Sequence, residues 1–350
     1  MRRMLILLLL STALTLSVSA QEELQYVHVR VVDVGPGLCC IVEMPGGDYM
    51  ICDAGSNRSK GTDFAVEQIE TAISQNEDIG LLVISHTDTD HVTAVKPLCD
   101  EYLVRTILHN EYERPGDVPK DRAWDVAAQA IADEVESGQC EDLNLSYCDL
   151  PRNAFTFGNG TVQVYPICGW AVAQQESDPN STSIVVRLDY AGRSVLFAGD
   201  SMSSGEQYMI ANAERYPDNP AYRIDSDVII APHHGAEDSN AQDFVDEVSP
   251  DYVIFSAGHQ YRHPTKEAAD RYIADLQARG IDPPTHMFRT DLGDHETNPP
   301  RNSGRPREWN FGRIRGCIDR PADDSVDIWI CSDGEIFVDY ATDGVCPCAQ

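Results

Sequence analysis

Four side chains that can bind metal ions stand within six residues of this sequence. The stretch GLLVISHTDTDHVTAV covers residues 80–95 and opens with an apolar run. The four metal-capable side chains that follow the run are those of His86, Asp88, Asp90 and His91. Imidazole nitrogens and carboxylate oxygens are the ligands that Zn²⁺ and Mn²⁺ take from proteins. The spacing therefore indicates a metal site at the end of a strand.

Other apolar runs of the chain end in the same kind of residue. The residues that follow these runs are Asp53, Asp200, the pair His233-His234 and His259, with His263 just beyond. Ligand sites in sheet-based folds gather along the carboxyl edge of the strands. Because five apolar runs each deliver a metal-capable residue, we predict that these residues meet at one edge.

Purely structural roles could also explain these residues without a metal site. An aspartate after a strand often caps the next helix, which could account for Asp53 and for the carboxylates of residues 86–91. Asp200 could be a turn residue, and the pair His233-His234 could be satisfied polar groups beside a core. A calcium-binding EF-hand loop is excluded, because no glycine occupies the sixth loop position.

The predicted elements begin with strands and continue as strands interleaved with helices. Residues 26–34 alternate in the manner of a strand, and LCCIVEM and DYMICD flank the hairpin signal Pro45-Gly46-Gly47. Residues 121–137 form an amphipathic helix, with further helices near 240–247 and 265–279. Sheets covered by helices are the stable solution for such an order. We predict one domain over residues 21–350, with a loop insertion near 294–325 and a cysteine-rich tail.

The first 20 residues have the pattern of a secretory signal peptide. Two arginines precede an apolar run, and Val18-Ser19-Ala20 offers a cleavage site. An uncleaved membrane anchor is the alternative, but the apolar run is short for a span. We expect a mature protein that begins near Gln21, carries no transmembrane anchor and is secreted or periplasmic.

The chain is strongly acidic. It has 26 Lys and Arg against 57 Asp and Glu, a formal net charge of −31. This charge disfavours binding to duplex nucleic acid or to anionic membranes. A small molecule or a short phosphodiester is the expected partner.

Eleven cysteines suit an exported protein with disulfides. Four of them crowd the C-terminus and resemble staples: Cys317, Cys331, Cys346 and Cys348. Three more are candidates to tie the middle segment: Cys99, Cys140 and Cys148. Cys39 and Cys40 are adjacent, so in a strand they face opposite ways.

The motif SHTDTDH resembles the metal-binding signature of the metallo-β-lactamase superfamily. Asp88 stands where the second histidine of that signature is usual, which is similar to the branch containing the extracellular hydrolase domain of the competence channel ComEC. Further segments resemble this branch in order along the chain: VRVVDVGPG, MICDAGS, NSTSIVVRLDYAGRSVLFAGD, PHHGAEDS, FSAGHQYRHP and FRTDLG. The resemblance implies a four-layer αββα sandwich of two mixed β-sheets, with a dinuclear metal site at one edge.

The sequence departs from the branch at several points. Pro36 and Leu38 stand where the branch usually has Gln and Asp, and Val92-Thr93-Ala94 replaces a glycine-bearing turn. The third-motif histidine of many members is absent, and Asn180 and Ser183 lie in that region. One metal must therefore find a ligand elsewhere, and the pair His233-His234 is the candidate source.

The resemblance implies an assignment of the ligands. His86, Asp88 and His234 bind one Zn²⁺ or Mn²⁺ ion, and Asp90, His91 and His263 bind the second. Asp200 bridges the two ions, which share a hydroxide that attacks the substrate. Asp53, Asn180 and Ser183 support the ligands through hydrogen bonds. We expect His233 and Asp90 to take part in catalysis, His233 by donating to developing charge.

The sequence is compatible with three functions. The leading one is a secreted dinuclear metal-dependent hydrolase of phosphodiesters, either nuclease-like or similar to a choline-phosphate esterase. A lactone, lactam or thioester hydrolase could use the same site. A non-catalytic, disulfide-rich binding protein with a vestigial site is the third.

Overall fold

Two mixed β-sheets form the centre of the structure. The computed structural model describes residues 25–112, 122–145, 153–169, 178–258, 263–291, 324–341 and 346–349. Each sheet joins an antiparallel part to a parallel part. The order in space is β15-β14-β1-β2-β3-β4-β5-β6 in the first sheet and β13-β12-β11-β10-β9-β8-β7 in the second.

The strands fall into two sets along the chain. Those of the first sheet are β1 (Tyr26–Val31), β2 (Cys39–Met44), β3 (Asp48–Ala54), β4 (Leu81–Val83), β5 (Thr106–His109), β6 (Glu141–Asn144), β14 (Val326–Cys331) and β15 (Ile336–Tyr340). Those of the second are β7 (Phe155–Phe157), β8 (Val162–Cys168), β9 (Val185–Tyr190), β10 (Arg193–Phe197), β11 (Val228–Ile230), β12 (Tyr252–Phe255) and β13 (Met287–Arg289).

Helices cover the outer face of each sheet. They are α1 (Ser59–Ala72), α2 (Thr89–Val92), α3 (Val95–Glu101), α4 (Arg122–Glu136), α5 (Ser203–Arg215), α6 (Gln242–Val248), α7 (Lys266–Ala278) and α8 (Pro283–His286). Within the described ranges, every helix is too short or too polar to cross a lipid bilayer.

Three buried clusters separate the layers. The largest lies between the sheets and joins residues such as Val29, Val186 and Ile328. A second packs helices against the first sheet, and a third does the same on the second sheet. Cys39 belongs to the outer cluster of the first sheet and Cys40 to the cluster between the sheets, because side chains alternate along β2. The predicted αββα sandwich is confirmed.

The predicted elements are largely present. The hairpin of β2 and β3, the amphipathic helix α4, helices α6 and α7, and the closing hairpin of β14 and β15 are confirmed. Residues 1–20 and His259 lie outside the described residues, as does nearly all of the predicted insertion at 294–325.

The cysteines correct part of the sequence interpretation. Cys331 and Cys348 form a disulfide, as expected for the C-terminal staples. Cys99 and Cys140, however, are thiols that pack against the outer core of the first sheet, so these two do not provide the predicted tie of the middle segment. Cys148 and Cys317 lie outside the described residues.

The parallel parts of the sheets explain where the polar residues gather. In the first sheet β3, β4 and β5 run parallel, and in the second β10, β11, β12 and β13 run parallel. Parallel strands end at the same edge of their sheet. The segments that leave β4, β10, β11 and β12 carry the metal ligands predicted from the sequence.

Candidate metal centre

The histidine- and aspartate-rich segment leaves the buried strand β4 and turns into the four-residue helix α2. Asp88 occupies the N-cap position of this helix, but its side chain makes no capping hydrogen bond. The capping interpretation therefore does not account for Asp88. His91 lies inside the helix and is fully buried.

Three histidine rings point one nitrogen each at the carboxylate of Asp200. The Nε2 atoms of His91 and His234 lie 3.3 and 3.5 Å from Asp200 Oδ1. The Nε2 atom of His86 lies 3.9 Å from Asp200 Oδ2. In the described structure these three Nε2 atoms are buried and have no hydrogen-bond partner. Buried polar atoms are almost always paired, so unpaired atoms of this kind indicate a site that can bind a ligand.

The hydrogen bond made by the Nδ1 atom of each histidine determines which nitrogen of the ring carries the proton. His234 Nδ1 lies 2.7 Å from the carbonyl oxygen of Ser256, which can only accept a hydrogen bond. His91 Nδ1 lies 2.9 Å from Asp53 Oδ2, which as a carboxylate oxygen also accepts. Both Nδ1 atoms are thus donors, so in the neutral form of each ring Nε2 carries the lone pair.

His86 obtains the same arrangement through a serine. The hydroxyl of Ser85 donates to Asp53 Oδ2 at 2.7 Å, and its oxygen lies 3.0 Å from His86 Nδ1. Because the hydroxyl proton is used on Asp53, the Ser85 oxygen accepts from the ring. The lone pair of His86 Nε2 therefore also faces Asp200. Three lone pairs and a carboxylate converging in a buried space fit a divalent metal ion.

Two aspartates add carboxylate oxygens to this set of metal-binding atoms. Asp88 Oδ2 lies 3.9 Å from His86 Nε2, and Asp90 Oδ2 lies 3.8 Å from His234 Nε2. Asn57 Nδ2 donates to Asp90 Oδ2 at 2.8 Å and so fixes the orientation of that carboxylate.

The atoms that could bind a metal ion form two overlapping groups. Ligand atoms of His86, His91 and Asp200 lie within 4.8 Å of one another, as do those of Asp90, His91 and His234. His234 therefore lies in one group with Asp90 and His91, whereas the sequence interpretation assigned it to the ion held by His86 and Asp88. The reason is the docking of the two sheets, which sets the loop after β11 over α2.

The two histidines of the segment PHHG have different environments. His234 is nearly buried among the metal-capable residues. His233 Nδ1 lies 3.1 Å from Asp238 Oδ1, and His233 Nε2 lies 3.1 Å from Asn180 Nδ2. His233 is thus hydrogen-bonded at both nitrogens, while its Nε2 still lies 3.8 Å from Asp200 Oδ2. The geometry favours His234 as the ligand and leaves His233 at the rim.

His263 lies on the far side of this pair. Its ring centroid is 5.4 Å from that of His233 and 6.3 Å from that of His234. The ligand groups within 4.8 Å do not include it, among the residues that the structure describes. Burial lowers the pKa of His263 to about 3, and the neighbouring histidines act in the same direction.

The electrostatics of the site follow from these contacts. Burial lowers the pKa of His86 well below its ordinary value. Burial acts in the same direction on His91, but the carboxylates of Asp200 and Asp53 raise its pKa well above the ordinary value. For His233 burial is likewise outweighed by Asp200 and by the hydrogen bond to Asp238, which raise the pKa to about 9.

Ser183 ties the second sheet to this site. Its hydroxyl oxygen accepts from the backbone N–H of Asp200 at 3.1 Å and lies 3.4 Å from His86 Nδ1. With Asp53 on His91 and Asn180 on His233, the three residues expected to hydrogen-bond around the ligands all lie at the centre.

Several contributors were not identified from the sequence. Asn110 Nδ2 donates to the carbonyls of Ser85 and Thr182, both at 3.1 Å, and so joins the loops of the two sheets. Asn57, Asp238 and the carbonyl of Ser256 were missed as well. A polar residue directly after β5 is the one signal that could have pointed to Asn110. The others stand in loops without a pattern.

Comparison with known proteins identifies the family of the chain. The family model of the metallo-beta-lactamase superfamily matches residues 32–259. Competence protein ComA of Neisseria gonorrhoeae is 32% identical over 117 residues, which cover 33% of this chain and 15% of that protein. ComE operon protein 3 of Bacillus subtilis (strain 168) is 24% identical over 218 residues, covering 61% and 24%. The chain therefore spans a quarter or less of these relatives.

Solved structures include distant likenesses. The Zn(2+)-bound PqqB from Methylobacterium extorquens is 12% identical, with a TM-score of 0.42 over 73% of this chain and 96% of that chain.

Proposed function

Because the chain belongs to the metallo-beta-lactamase superfamily, we propose that it is a dinuclear metal-dependent hydrolase of phosphodiesters. The family match covers well over half of the chain. The observation that carries the proposal is the convergence of three buried, unpartnered Nε2 atoms on the carboxylate of Asp200. Buried polar atoms without partners are unfavourable, and a bound metal ion would satisfy all three.

The two overlapping donor groups support two ions. In this proposal His86 and Asp88 would hold one ion, Asp90 and His234 would hold the other, and Asp200 would contribute to both. His91 can serve one ion only, because its Nε2 has a single lone pair. Nitrogen and carboxylate donors in this mixture suit Zn²⁺ or Mn²⁺.

Two bound divalent ions supply a nucleophile at neutral pH and neutralise the charge that develops on the attacked group. The residues of the chain do the positioning. Asp53 and Ser85 orient the histidines, and Asn57 orients Asp90. Asn180 and Asp238 hold His233 at the rim, where the protonated ring can donate from Nε2 to the oxygens of the substrate.

Charge favours an anionic diester as the substrate. Asp88, Asp90 and Asp200 contribute three negative charges against the four positive charges of two divalent ions. The site is therefore mildly cationic within an acidic molecule of net charge −31. A displacement at phosphorus develops negative charge on the attacking and the leaving oxygen, which a dinuclear site would stabilise. A lactone, lactam or thioester hydrolase is the second candidate, because the same donors can activate a nucleophile towards a carbonyl.

The test is turnover by protein loaded with Zn²⁺ or Mn²⁺. We expect release of nitrophenol from bis-(p-nitrophenyl) phosphate or p-nitrophenyl phosphorylcholine, with little cleavage of nitrocefin or a simple lactone. His233→Ala should lower kcat by about 10²–10³ and leave the metal content unchanged. The matched control is His286→Ala, since His286 stacks on Tyr252 away from the site. Efficient opening of nitrocefin or the lactone with both diesters untouched would contradict the proposal, and a protein that takes up no ion would support the binding-protein alternative.

Export is part of the proposal. The leader-like first 20 residues and the Cys331–Cys348 disulfide support it, because disulfides persist in oxidising compartments. Intact-mass analysis of the native protein before and after reduction is the measurement. Retention of residues 1–20 together with a free Cys331 thiol would contradict export.

A further inference from the structure

The loop that delivers His234 has an unfavourable backbone. His233 and His234 are consecutive residues in the left-handed region, with φ of 49° and 54°. Residues with a Cβ avoid this region, and such conformations persist only where the surroundings determine them. The loop must therefore be held from outside.

The side chain of Asn240 spans this loop. Its Nδ2 donates to the carbonyl of Pro232 at 3.0 Å and to that of Ala236 at 3.2 Å, on either side of the histidine pair. Its Oδ1 accepts from the hydroxyl of Tyr272 at 2.9 Å. Asn240 is fully buried, so these bonds are made away from water.

The backbone around Asn240 is fixed in turn by helices α5 and α7. Glu206 of α5 accepts from the N–H groups of Asn240 and Ala241, at 2.5 and 3.0 Å. Arg271 of α7 donates to the carbonyls of Asn240 and Ser239, at 3.0 and 2.8 Å. The amide of Asn240 thus links two packed helices to the turn that carries the ligand.

We propose that Asn240 is a positioning residue for the metal centre: its amide holds the left-handed turn that aims His234 Nε2 at Asp90 and Asp200. The inference rests on the metal site of the proposed function. Without the amide, the turn has to be ordered when an ion binds, so the affinity for that ion falls. The group of His86 and Asp200 is approached from β4 and β10 and should keep its affinity.

Two substitutions separate this role from a general loss of stability. Asn240→Gly removes the amide but tolerates the φ of 60° at this position and keeps the backbone bonds to Glu206 and Arg271. Tyr272→Phe keeps the ring and removes the donor to Asn240 Oδ1. The matched control is Ser249→Gly, since Ser249 is another left-handed residue, with φ of 48°, at the C-terminus of α6.

The experiment is titration of metal-free protein with Zn²⁺ against a chromophoric chelator, with elemental analysis after dialysis. We expect two ions in the wild type and in Ser249→Gly. In Asn240→Gly one ion should bind about 10–100-fold more weakly, as when a residue that orients a ligand is removed. Tyr272→Phe should show a smaller loss at the same ion. Circular dichroism establishes that each variant is folded at the titration temperature.

The outcomes distinguish the inference from the proposed function. Wild-type dissociation constants for both ions in folded Asn240→Gly and Tyr272→Phe would overturn the inference, whatever substrate the enzyme cleaves. Loss of one ion in Asn240→Gly, in an enzyme that cleaves no diester, would overturn the proposed reaction and support the inference. A wild-type protein that binds no ion would overturn both.

Discussion

Asp53 orients two of the three histidines of the candidate metal centre. One of its oxygens lies 2.9 Å from His91 Nδ1 and accepts from the hydroxyl of Ser85, which in turn accepts from His86. Asp53 also accepts from the backbone N–H of Ser85 at 2.7 Å. A single carboxylate therefore sets the protonated nitrogen of both rings and anchors the segment that carries them.

Removal of this carboxylate should weaken metal binding in a protein that still folds. We expect Asp53→Ala to lower the affinity for Zn²⁺ by about 10–100-fold, because His86 and His91 lose their fixed orientation. Chelator competition measures the dissociation constants. The matched control is Asp327→Ala, which removes a buried carboxylate bound to Arg30 and His28 away from the site. Equal affinities in Asp53→Ala and the wild type would show that the carboxylate does not orient the ligands.

At the scale of elements, the turn after β10 packs directly against the segment that follows β4. Gly199 has a φ of 52°, and a Cβ at this position would lie 2.6 Å from the Cβ of Ser85. Gly192, in the turn between β9 and β10, has a φ of 76° with nothing within 4 Å of an added Cβ. The two glycines share a left-handed backbone and differ in their neighbours.

This pair separates backbone strain from steric contact. Gly192→Ala should lower the free energy of unfolding by about 1–2 kcal/mol, the effect of an L-residue in a left-handed turn. Gly199→Ala should lower it by about 2–5 kcal/mol, because overpacking against Ser85 is added to the strain. Urea denaturation of chelator-treated protein measures both values. Equal losses would mean that the sheets can separate to admit a methyl group.

The hydrogen bonds from the loop before α6 to Glu206 of α5 should make the free energy of unfolding depend on pH. Burial raises the pKa of Glu206 to about 7, although two backbone N–H groups favour its ionised form. A carboxyl with a raised pKa stabilises the fold fully below its unfolded value of 4.5, and this contribution is lost as pH rises through about 7.

The measurement is the free energy of unfolding of metal-free protein at pH 5 and pH 8. We expect the wild type to lose up to about 3 kcal/mol more than Glu206→Gln over this interval, since one pKa unit corresponds to about 1.4 kcal/mol. Identical pH dependence in the two proteins would show that Glu206 does not titrate in this window.

The elements were predictable from the sequence because their signals are local. Alternation along β1, the hairpin signal at Pro45-Gly46-Gly47 and the spacing of α4 depend on neighbouring residues alone. The convergence of His86, Asp200 and His234 at one edge of the sheets was also predictable from the sequence, because neighbouring parallel strands end at the same edge.

The grouping of the ligands was not predictable in this way. His234 lies beside Asp90 because the second sheet docks on the first at one particular offset, which no local pattern records. Asn57 and Asn240 act through loops, where a polar residue looks like any other solvated one. The left-handed backbone at His233 and His234 runs against the preference of both residues and depends on contacts distant in sequence.

At the scale of the whole molecule, the surface charge should set the size of the substrate. With a net charge of −31, the protein repels long polyanions. A small diester carries little charge and is therefore repelled much less. Raising the salt from about 0.01 to 0.15 M shortens the screening length from about 30 to 8 Å. The preference for small diesters over duplex DNA should therefore narrow as salt is added.

The comparison uses kcat/KM for bis-(p-nitrophenyl) phosphate and the cleavage rate of a short duplex, each across this salt range with the same metal-loaded protein. A supercoiled plasmid incubated without protein controls for cleavage by free ions. Faster cleavage of duplex DNA at low salt than at high salt would contradict the prediction, because it would indicate a basic path to the site.

The order of the first sheet has a consequence for the synthesis of the chain. Strand β1 pairs with β14, so that Tyr26 lies opposite Cys331. At a translation rate of about 5–20 residues per second, roughly 15–60 s separate the emergence of the two strands from the ribosome. Throughout that interval one edge of β1 is open, and an open edge can recruit strands of other nascent chains. Folding of this sheet is therefore completed only after its last strand has been translated, and ribosomes that stall before β14 release fragments prone to aggregate.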